Sequence, residues 1–265
     1  MTATVFTVIA AISFSHFLND LMQALLPAIY PMLKDDFGLT FGQVGLLTLT
    51  FQFTASLLQP VVGIYSDRHP LPYSMALGMG STLAGLVLLS TADQFALLVL
   101  AAALVGLGSA VFHPEASRVA RMAAGMRPGL AQSVFQVGGN FGSALGPLLA
   151  AFIVLPFGQG SIAWFSLVAV LAMFVLFKVG TWYKGHLARL LYRGQGVMVS
   201  LSQRRIVVSV LILVVLTFSK AVYGASLGSY YTFFLIERFE VSIRDSQLLL
   251  FVYMAAVAVG TIIGG

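Results

Sequence analysis

The chain has 265 residues, 59% of them hydrophobic and only 9% charged, with a mean hydropathy of +0.96 and a net charge of +5. Soluble domains carry about 25% charged residues, so this composition excludes a soluble binding module or cytosolic enzyme and indicates an all-α polytopic membrane protein. No cysteine is present, which removes disulfides and thiolate metal sites. The excess of 14 Lys+Arg over 9 Asp+Glu is what cytoplasmic loops supply, without a nucleic-acid partner.

A spanning helix needs about 20 mostly apolar residues. Eight segments reach that length: 4–33, 41–65, 73–92, 95–120, 130–155, 161–181, 206–235 and 246–265. The first lacks a basic leader and a small-residue cleavage site and contains Asp20, so it reads as a retained helix. Ionisable groups inside a span are costly and are functional candidates by default. In helix one, Ser13, His16, Asn19, Asp20, Gln23 and Pro27 fall within about 120° at 100° per residue, one polar face toward a cavity. His16 and Asp20 are i,i+4 neighbours and form the candidate proton-coupling pair, with Asn19 and Gln23 as candidate substrate contacts. The alternative is a hydrogen-bonded pair that only packs the bundle.

In helix two, Thr48, Gln52, Ser56 and Gln59 make a polar stripe on one face, which supports a wet centre or serves as interhelical glue, the favoured role. Where it ends, "GIYSDR" places a close-packing glycine at Gly63 and the charges Asp67 and Arg68. Helix four runs into "VFHPEASRVARM". Counted from Phe95, His113 lies 18 residues on, about 27 Å along a helix and close to the full ~30 Å hydrocarbon thickness. His113, Glu115 and Arg118 therefore read, with Asp67 and Arg68, as a cytoplasmic gate, Glu115 pairing with Arg118 or Arg68; His113, on the side of Ser117 and Gly106, has the inner mouth of the cavity as its alternative place. In helix five, Gln136 and Asn140 are candidate cavity residues on the face of Gln132 and Ser143, and "GSALGP" offers Gly142, Gly146 and Pro147 as a small-residue packing motif with a kink. In helix seven, Lys220 lies about 14 residues, or ~21 Å, from the start, with Tyr223, Tyr230 and Tyr231 on its face. A cationic centre with phenolic donors suits a phosphonate or carboxylate; Lys220 as counter-ion of Asp20, or as a structural lysine, are the alternatives.

Arginine and lysine set the orientation. With the N-terminus in the cytoplasm, ten of the 14 lie inside and three outside, Lys220 being within a span. "FGLTFGQVGLL" from Phe37 and "FEVSIRDSQLL" from Phe239 repeat at an offset of 202. On that register the chain stops at Gly265, the counterpart of Gly63. Parallel six-helix repeats then divide the chain into an N-terminal bundle at 1–181, a cytoplasmic interdomain linker at 182–205 and the first two helices of a second bundle at 206–265. The expectation is a protein truncated after its eighth helix. No His-Glu-x-x-His, paired-aspartate or serine–histidine signature occurs, so no enzyme, metal site or cofactor is expected.

"GIYSDR" fits the Gly-x-x-x-Asp-(Arg/Lys) core of the loop motif in the major facilitator superfamily, although its usual Gly-Arg-Arg tail is replaced by "HPLPYS". "GSALGP" resembles the Gly-x-x-x-Gly-Pro motif of that superfamily's proton-coupled exporters, whose helix-four arginine has no counterpart here. "SHFLNDLMQ", "LTFQF", "SLLQPVVG", "FHPEASRVARMA", "GLAQSVFQVGGNFGSALGPLLAA" and "SYYTFFL" together resemble the fosmidomycin resistance protein family, bacterial members of the superfamily. The resemblance implies a major facilitator fold in the bacterial inner membrane, acting as a monomer. It also implies alternating-access antiport that exports a small anionic phosphonate drug against protons. Symport of an organic anion into the cell, and a transport-inactive fragment, are the competing expectations.

Overall fold

The computed structural model describes residues 4–191 and 202–264. Among them, eight helices are long and apolar enough to cross a membrane: α1 (Phe6–Ala28), α2 (Phe41–Arg68), α3 (Ser74–Thr91), α4 (Phe95–Ala123), α5 (Pro128–Phe157), α6 (Gln159–Leu187), α7 (Gln203–Phe239) and α8 (Ile243–Gly260). No strand occurs among the described residues, as expected where lipid cannot satisfy open backbone polar groups. The number and order of spans are those read from the sequence, but their ends differ. The first expected span breaks after Pro27, whose ring cannot donate to the carbonyl a turn earlier, and the chain resumes as a short helix, Tyr30–Phe37. Helix α6 continues into the expected linker; residues 192–201 of that segment, and Gly265, lie outside the described residues.

The sequence repeat is also a repeat of backbone geometry. Gly38 (φ 61°) and Glu240 (φ 55°), 202 positions apart, both end a helix in the left-handed conformation. Two residues on, Thr40 Oγ1 accepts from Gln43 N at 3.2 Å, and Ser242 Oγ accepts from Asp245 N at 3.1 Å. The side chain three residues past each cap reaches back: Gln43 Oε1 accepts from Thr40 N at 2.9 Å, and Asp245 Oδ2 from Ser242 Oγ at 2.7 Å. Side-chain oxygens thus satisfy the orphan amides that open α2 and α8.

Helix packing is set by missing side chains. Gly138, Gly139, Gly142 and Gly146 line the face of α5 on which α1 lies. A Cβ added at Gly142 would stand 2.2 Å from Phe17 O, and one at Gly146 2.4 Å from Ala24 Cβ. Backbone therefore rests on backbone, the close approach that small residues permit between membrane helices. Helix α4 meets α2 in the same way, where a Cβ on Gly106 would be 2.8 Å from Phe51 O. That stretch of α2, Phe53–Leu57, is a π-helical turn ahead of Pro60. Gln59 Nε2 donates to Ala55 O at 2.7 Å, returning a partner to a carbonyl the bulge disturbs. A second π-helical turn, Ala150–Val154, follows Pro147 in α5.

Helix α7 meets the first six mainly at one end, whereas α8 packs on α5 with Ser246, Gln247, Leu250 and Ala258 buried. Residues 203–224 of α7 are exposed, whereas Ser229, Thr232, Phe233 and Leu235 are buried. There Phe233 packs edge-on against Phe41, with centroids 5.3 Å apart. Arg244 lies 4.9 Å over the Phe152 ring, and the fully buried Gln247 donates to Ala28 O at 2.9 Å.

Candidate functional site

Asp20, on the α5-facing side of α1, is the hub of a buried polar cluster. His16 Nε2 stands 3.3 Å from its Oδ2, and His113 Nε2, from α4, stands 3.4 Å from its Oδ1. Asn19 Nδ2 donates to Oδ1 at 3.0 Å and Ser143 Oγ approaches Oδ2 at 3.5 Å. Both imidazoles are held from behind. His16 Nδ1 lies 2.8 Å from Phe135 O, and His113 Nδ1 lies 3.0 Å from Ser109 O. A carbonyl only accepts, so the His16 Nδ1 carries a hydrogen, and in a neutral ring its Nε2 then presents a lone pair toward the carboxylate. The His113 Nδ1 also lies 3.1 Å from Ser109 Oγ, which donates as well as accepts, so either tautomer of that ring finds a partner. Acceptor facing acceptor is unfavourable at 3.3 Å, so the His16–Asp20 contact calls for a hydrogen, or another positive centre, between nitrogen and oxygen.

The His16 ring is fixed by packing. It is 2% exposed, stacks on Phe135 at a centroid distance of 4.1 Å and lies 5.8 Å from Phe112. Gly139 makes this possible, since a Cβ there would sit 2.4 Å from His16 Nε2 and 2.8 Å from Asp20 Oδ2.

Asp20 and His113 open onto a cavity of about 520 Å³ between α1, α2 and α7, within the size range of small-molecule sites. Lys220, on α7, lines the same cavity, as do Gln23, Tyr30 and Pro27. Gln23 Nε2 and Tyr30 Oη are buried without hydrogen-bond partners. Gln52, Ser56 and Gln59 form its α2 wall, which corrects the expectation that this stripe is interhelical glue.

Several other expected site residues stand elsewhere. Gln136 Nε2 donates to Asn140 Oδ1 at 3.3 Å, and neither lines the cavity. Tyr223 is 65% exposed and outside the lining. The Tyr230 hydroxyl packs on α2, 3.3 Å from where a Gly45 Cβ would be. Asn19 is fully buried and reaches the cavity only through Asp20.

The charges expected to form a gate divide into two groups. Arg118 Nη1 donates to the fully buried Glu115 Oε1 at 2.8 Å, while Nη2 pairs with Asp67 and donates to Gly63 O at 3.3 Å. This joins α2 to α4 through the "GIYSDR" segment. Arg68 is exposed and outside that network. His113 is not part of it either: its ring turns toward Asp20, one helix away. Helix α4 is 29 residues long, and ten residues separate His113 from its last residue, Ala123, whose carbonyl accepts from Val5 N at 2.8 Å. What places His113 at the cavity is its ring's contact with Asp20.

These helices, their paired loops and the interhelical cavity agree with one superfamily, and comparison with known sequences decides it. The profile of the Major Facilitator Superfamily matches residues 12–265. The chain belongs to this superfamily. Within the superfamily it is 54% identical over 263 residues to the fosmidomycin resistance protein of Escherichia coli (strain K12), in keeping with the resemblance carried by its long motif strings. It is 40% identical over 266 residues to the uncharacterized MFS-type transporter YfnC of Bacillus subtilis (strain 168). Each alignment covers 99% of this chain, which spans 65% of the length of each relative. Among solved structures, a bacterial homologue of the human lysosomal transporter Spinster, in an inward-facing and occupied conformation, superposes with a TM-score of 0.72 at 19% identity. That match covers 98% of this chain and 60% of the other, and at this identity it shows the major facilitator fold alone.

Proposed function

We propose that this major facilitator protein is a proton-coupled antiporter that exports a small anionic drug, of the fosmidomycin-like phosphonate class, from the bacterial cytoplasm. The carrying observation is that a proton-binding cluster and a cation share one cavity: Asp20 and His113 line it beside Lys220. In the proposed cycle Lys220 attracts the anion, Gln23 Nε2 and Tyr30 Oη supply unpartnered donors, and Asp20 with its two imidazoles takes up the coupling proton. The 54% identity to a fosmidomycin resistance protein supports the substrate class and the direction. In the proposed orientation the N-terminus is cytoplasmic; the exposed half of α7 then supports a cavity mouth on the cytoplasmic side, with the Gln247–Ala28 contact at the outer end. Alternating access would then rock α7 and α8 against the first six helices, the Arg118 network bracing α2 and α4 at the cytoplasmic end.

The shared cavity also gives a second reading, symport, a physical basis. Neutralising Asp20 makes the cavity more positive, which favours an anion rather than expelling it. Antiport therefore requires that the proton-loaded and anion-loaded forms of the cavity exclude one another through a change of conformation. Anion affinity of the purified transporter at two pH values separates the two: tighter binding at high pH supports antiport, and tighter binding at low pH supports symport.

The direct test is phosphonate susceptibility of cells expressing the full-length transporter. Lys220→Ala is expected to reduce resistance sharply, with Kd for the anion rising about 10- to 150-fold, the equivalent of losing one charge-assisted hydrogen bond of ~1.5–3 kcal/mol. Asp20→Asn should abolish proton-driven export while leaving anion binding measurable. Wild-type resistance in both variants would refute the assignment of the cavity.

A further inference from the structure

We propose that His16, Asp20 and His113 form a binding site for a divalent d-block cation, Zn2+ or Ni2+ in preference to Mg2+ or Ca2+. One ligand atom from each side chain can be chosen so that all lie within 4.8 Å of one another. His16 Nε2 lies 3.3 Å from Asp20 Oδ2 and His113 Nε2 3.4 Å from Oδ1; each imidazole faces its own carboxylate oxygen, at the edge length of a ligand tetrahedron with bonds of about 2.0–2.1 Å. The rings meet edge to face, with centroids 5.1 Å apart and planes at 86°, so their Nε2 lone pairs approach from different directions. His16 Nδ1 lies against Phe135 O, and His113 Nδ1 against both Ser109 O and Ser109 Oγ; with Nδ1–H donated to the carbonyl, each ring is oriented from behind as metal-bound imidazoles usually are. The positive centre that the His16–Asp20 contact calls for can thus be a metal ion as well as a hydrogen.

Selectivity follows from the donors. Two imidazoles and one carboxylate suit zinc, nickel or cobalt, whereas magnesium and calcium favour all-oxygen shells. The site also has an entry path and an open position. Asp20 and His113 face the cavity, so a fourth ligand, water or anion, would come from that side. Gly139 leaves the opposite side clear: a Cβ there would lie 2.4 Å from His16 Nε2. The other two histidines are removed from the cluster, His69 stacking on Tyr65 and His186 on Trp182. The sequence gives no metal signature because the ligands come from two segments 93 positions apart, His113 minus Asp20. Cation binding stands apart from the transport assignment. Its consequence for transport is that a bound ion occupies the atoms that would take the coupling proton, and so inhibits the cycle.

The test uses untagged, purified protein in detergent, titrated with Zn2+ by calorimetry and with Co2+ by visible absorption. One cation per chain is expected, with the intense d–d bands of a low-coordinate Co2+ site and no displacement by excess Mg2+. Asp20→Asn and His113→Gln should each raise Kd at least about tenfold, since even loss of an outer-shell partner costs 10- to 100-fold. The double variant His69→Gln/His186→Gln should bind as wild type. X-ray absorption of the zinc-loaded wild type should show two imidazole nitrogens, a readout that no variant's folding can confuse. A shell with fewer than two imidazoles, binding unchanged by loss of Asp20 or His113, binding lost with His69 and His186, or displacement of zinc by Mg2+ would each overturn the proposal.

Discussion

Replacing Gly139 with alanine tests whether the Asp20 cluster depends on backbone-to-backbone seating of α1 on α5. The added methyl would lie 2.4 Å from both Cε1 and Nε2 of His16 and 2.8 Å from Asp20 Oδ2. Carbon contacts relax to roughly 3.5 Å, so about 1 Å of separation must be found. The imidazole cannot provide it by turning, because Phe135 stacks at 4.1 Å and holds Nδ1 through its carbonyl at 2.8 Å. Either that hydrogen bond or the 3.3 Å contact with Asp20 must stretch beyond hydrogen-bonding range. Overpacking of this kind costs about 1–3 kcal/mol, with about 1 kcal/mol more for the lost bond. Gly129→Ala is the control, for nothing lies within 4 Å of a Cβ there. Thermal unfolding of both purified variants should show a lowered Tm for Gly139→Ala alone. In the full-length transporter, proton-driven export should fall by roughly 100-fold, as a ~1 Å misplacement of reacting groups does elsewhere. A Gly139→Ala protein with wild-type Tm and wild-type export would refute the seating argument outright.

Arg118→Ala leaves Glu115 fully buried without its 2.8 Å partner and should destabilise by about 3–5 kcal/mol; the double change Arg118→Met/Glu115→Leu should recover most of that loss in the same unfolding assay. Glu240 adopts the left-handed conformation that Gly38 holds in the matching loop, so Glu240→Gly should raise stability by up to about 1 kcal/mol, whereas Gly38→Glu should lower it. Gln247→Leu removes the donor to Ala28 O at a cost of about 0.5–1.5 kcal/mol. It should widen the distance between spin labels on the α1–α2 and α7–α8 loops, and an unchanged distance distribution would show that this contact does not hold that end together.

Hydropathy alone located all eight spans, because twenty apolar residues between polar loops have few alternatives in lipid. The polar face of α1 was readable in part: Asp20, Gln23 and Pro27 line the cavity, but Ser13 and His16 turn to the α5 carbonyls of Val134 and Phe135, so the face expected toward the cavity is shared with the α5 contact. What each face meets was harder to read. Counting from Phe95 along α4 could not show that the His113 ring turns to Asp20 of α1. In α2 the phase held for Gln52, Ser56 and Gln59, which share one face across the π-helical turn at Phe53–Leu57, but the sequence did not say whether that face meets a helix or a cavity. Tyr223 failed for another reason. Three residues from Lys220, it shares a nominal face with it, but helical phase does not reveal where the neighbouring helices stop. The glycine row was visible as "GGNFGSALG", yet only the fold shows that Gly139 clears space for a functional side chain as well as for a helix.

Helix α1 carries Asp20 and also ends at Ala28, the residue whose carbonyl Gln247 holds. Eight residues, about 12 Å of rigid helix, separate the two. With its carbonyls pressed against α5 glycines, α1 cannot absorb a disturbance at one end by shuffling side chains. The ion or proton cluster and the clasp at the far end therefore share one stiff member. Any coupling between them is reciprocal by thermodynamic necessity: whatever factor opening the clasp imposes on the affinity of Asp20 for its proton, filling Asp20 must impose on the clasp.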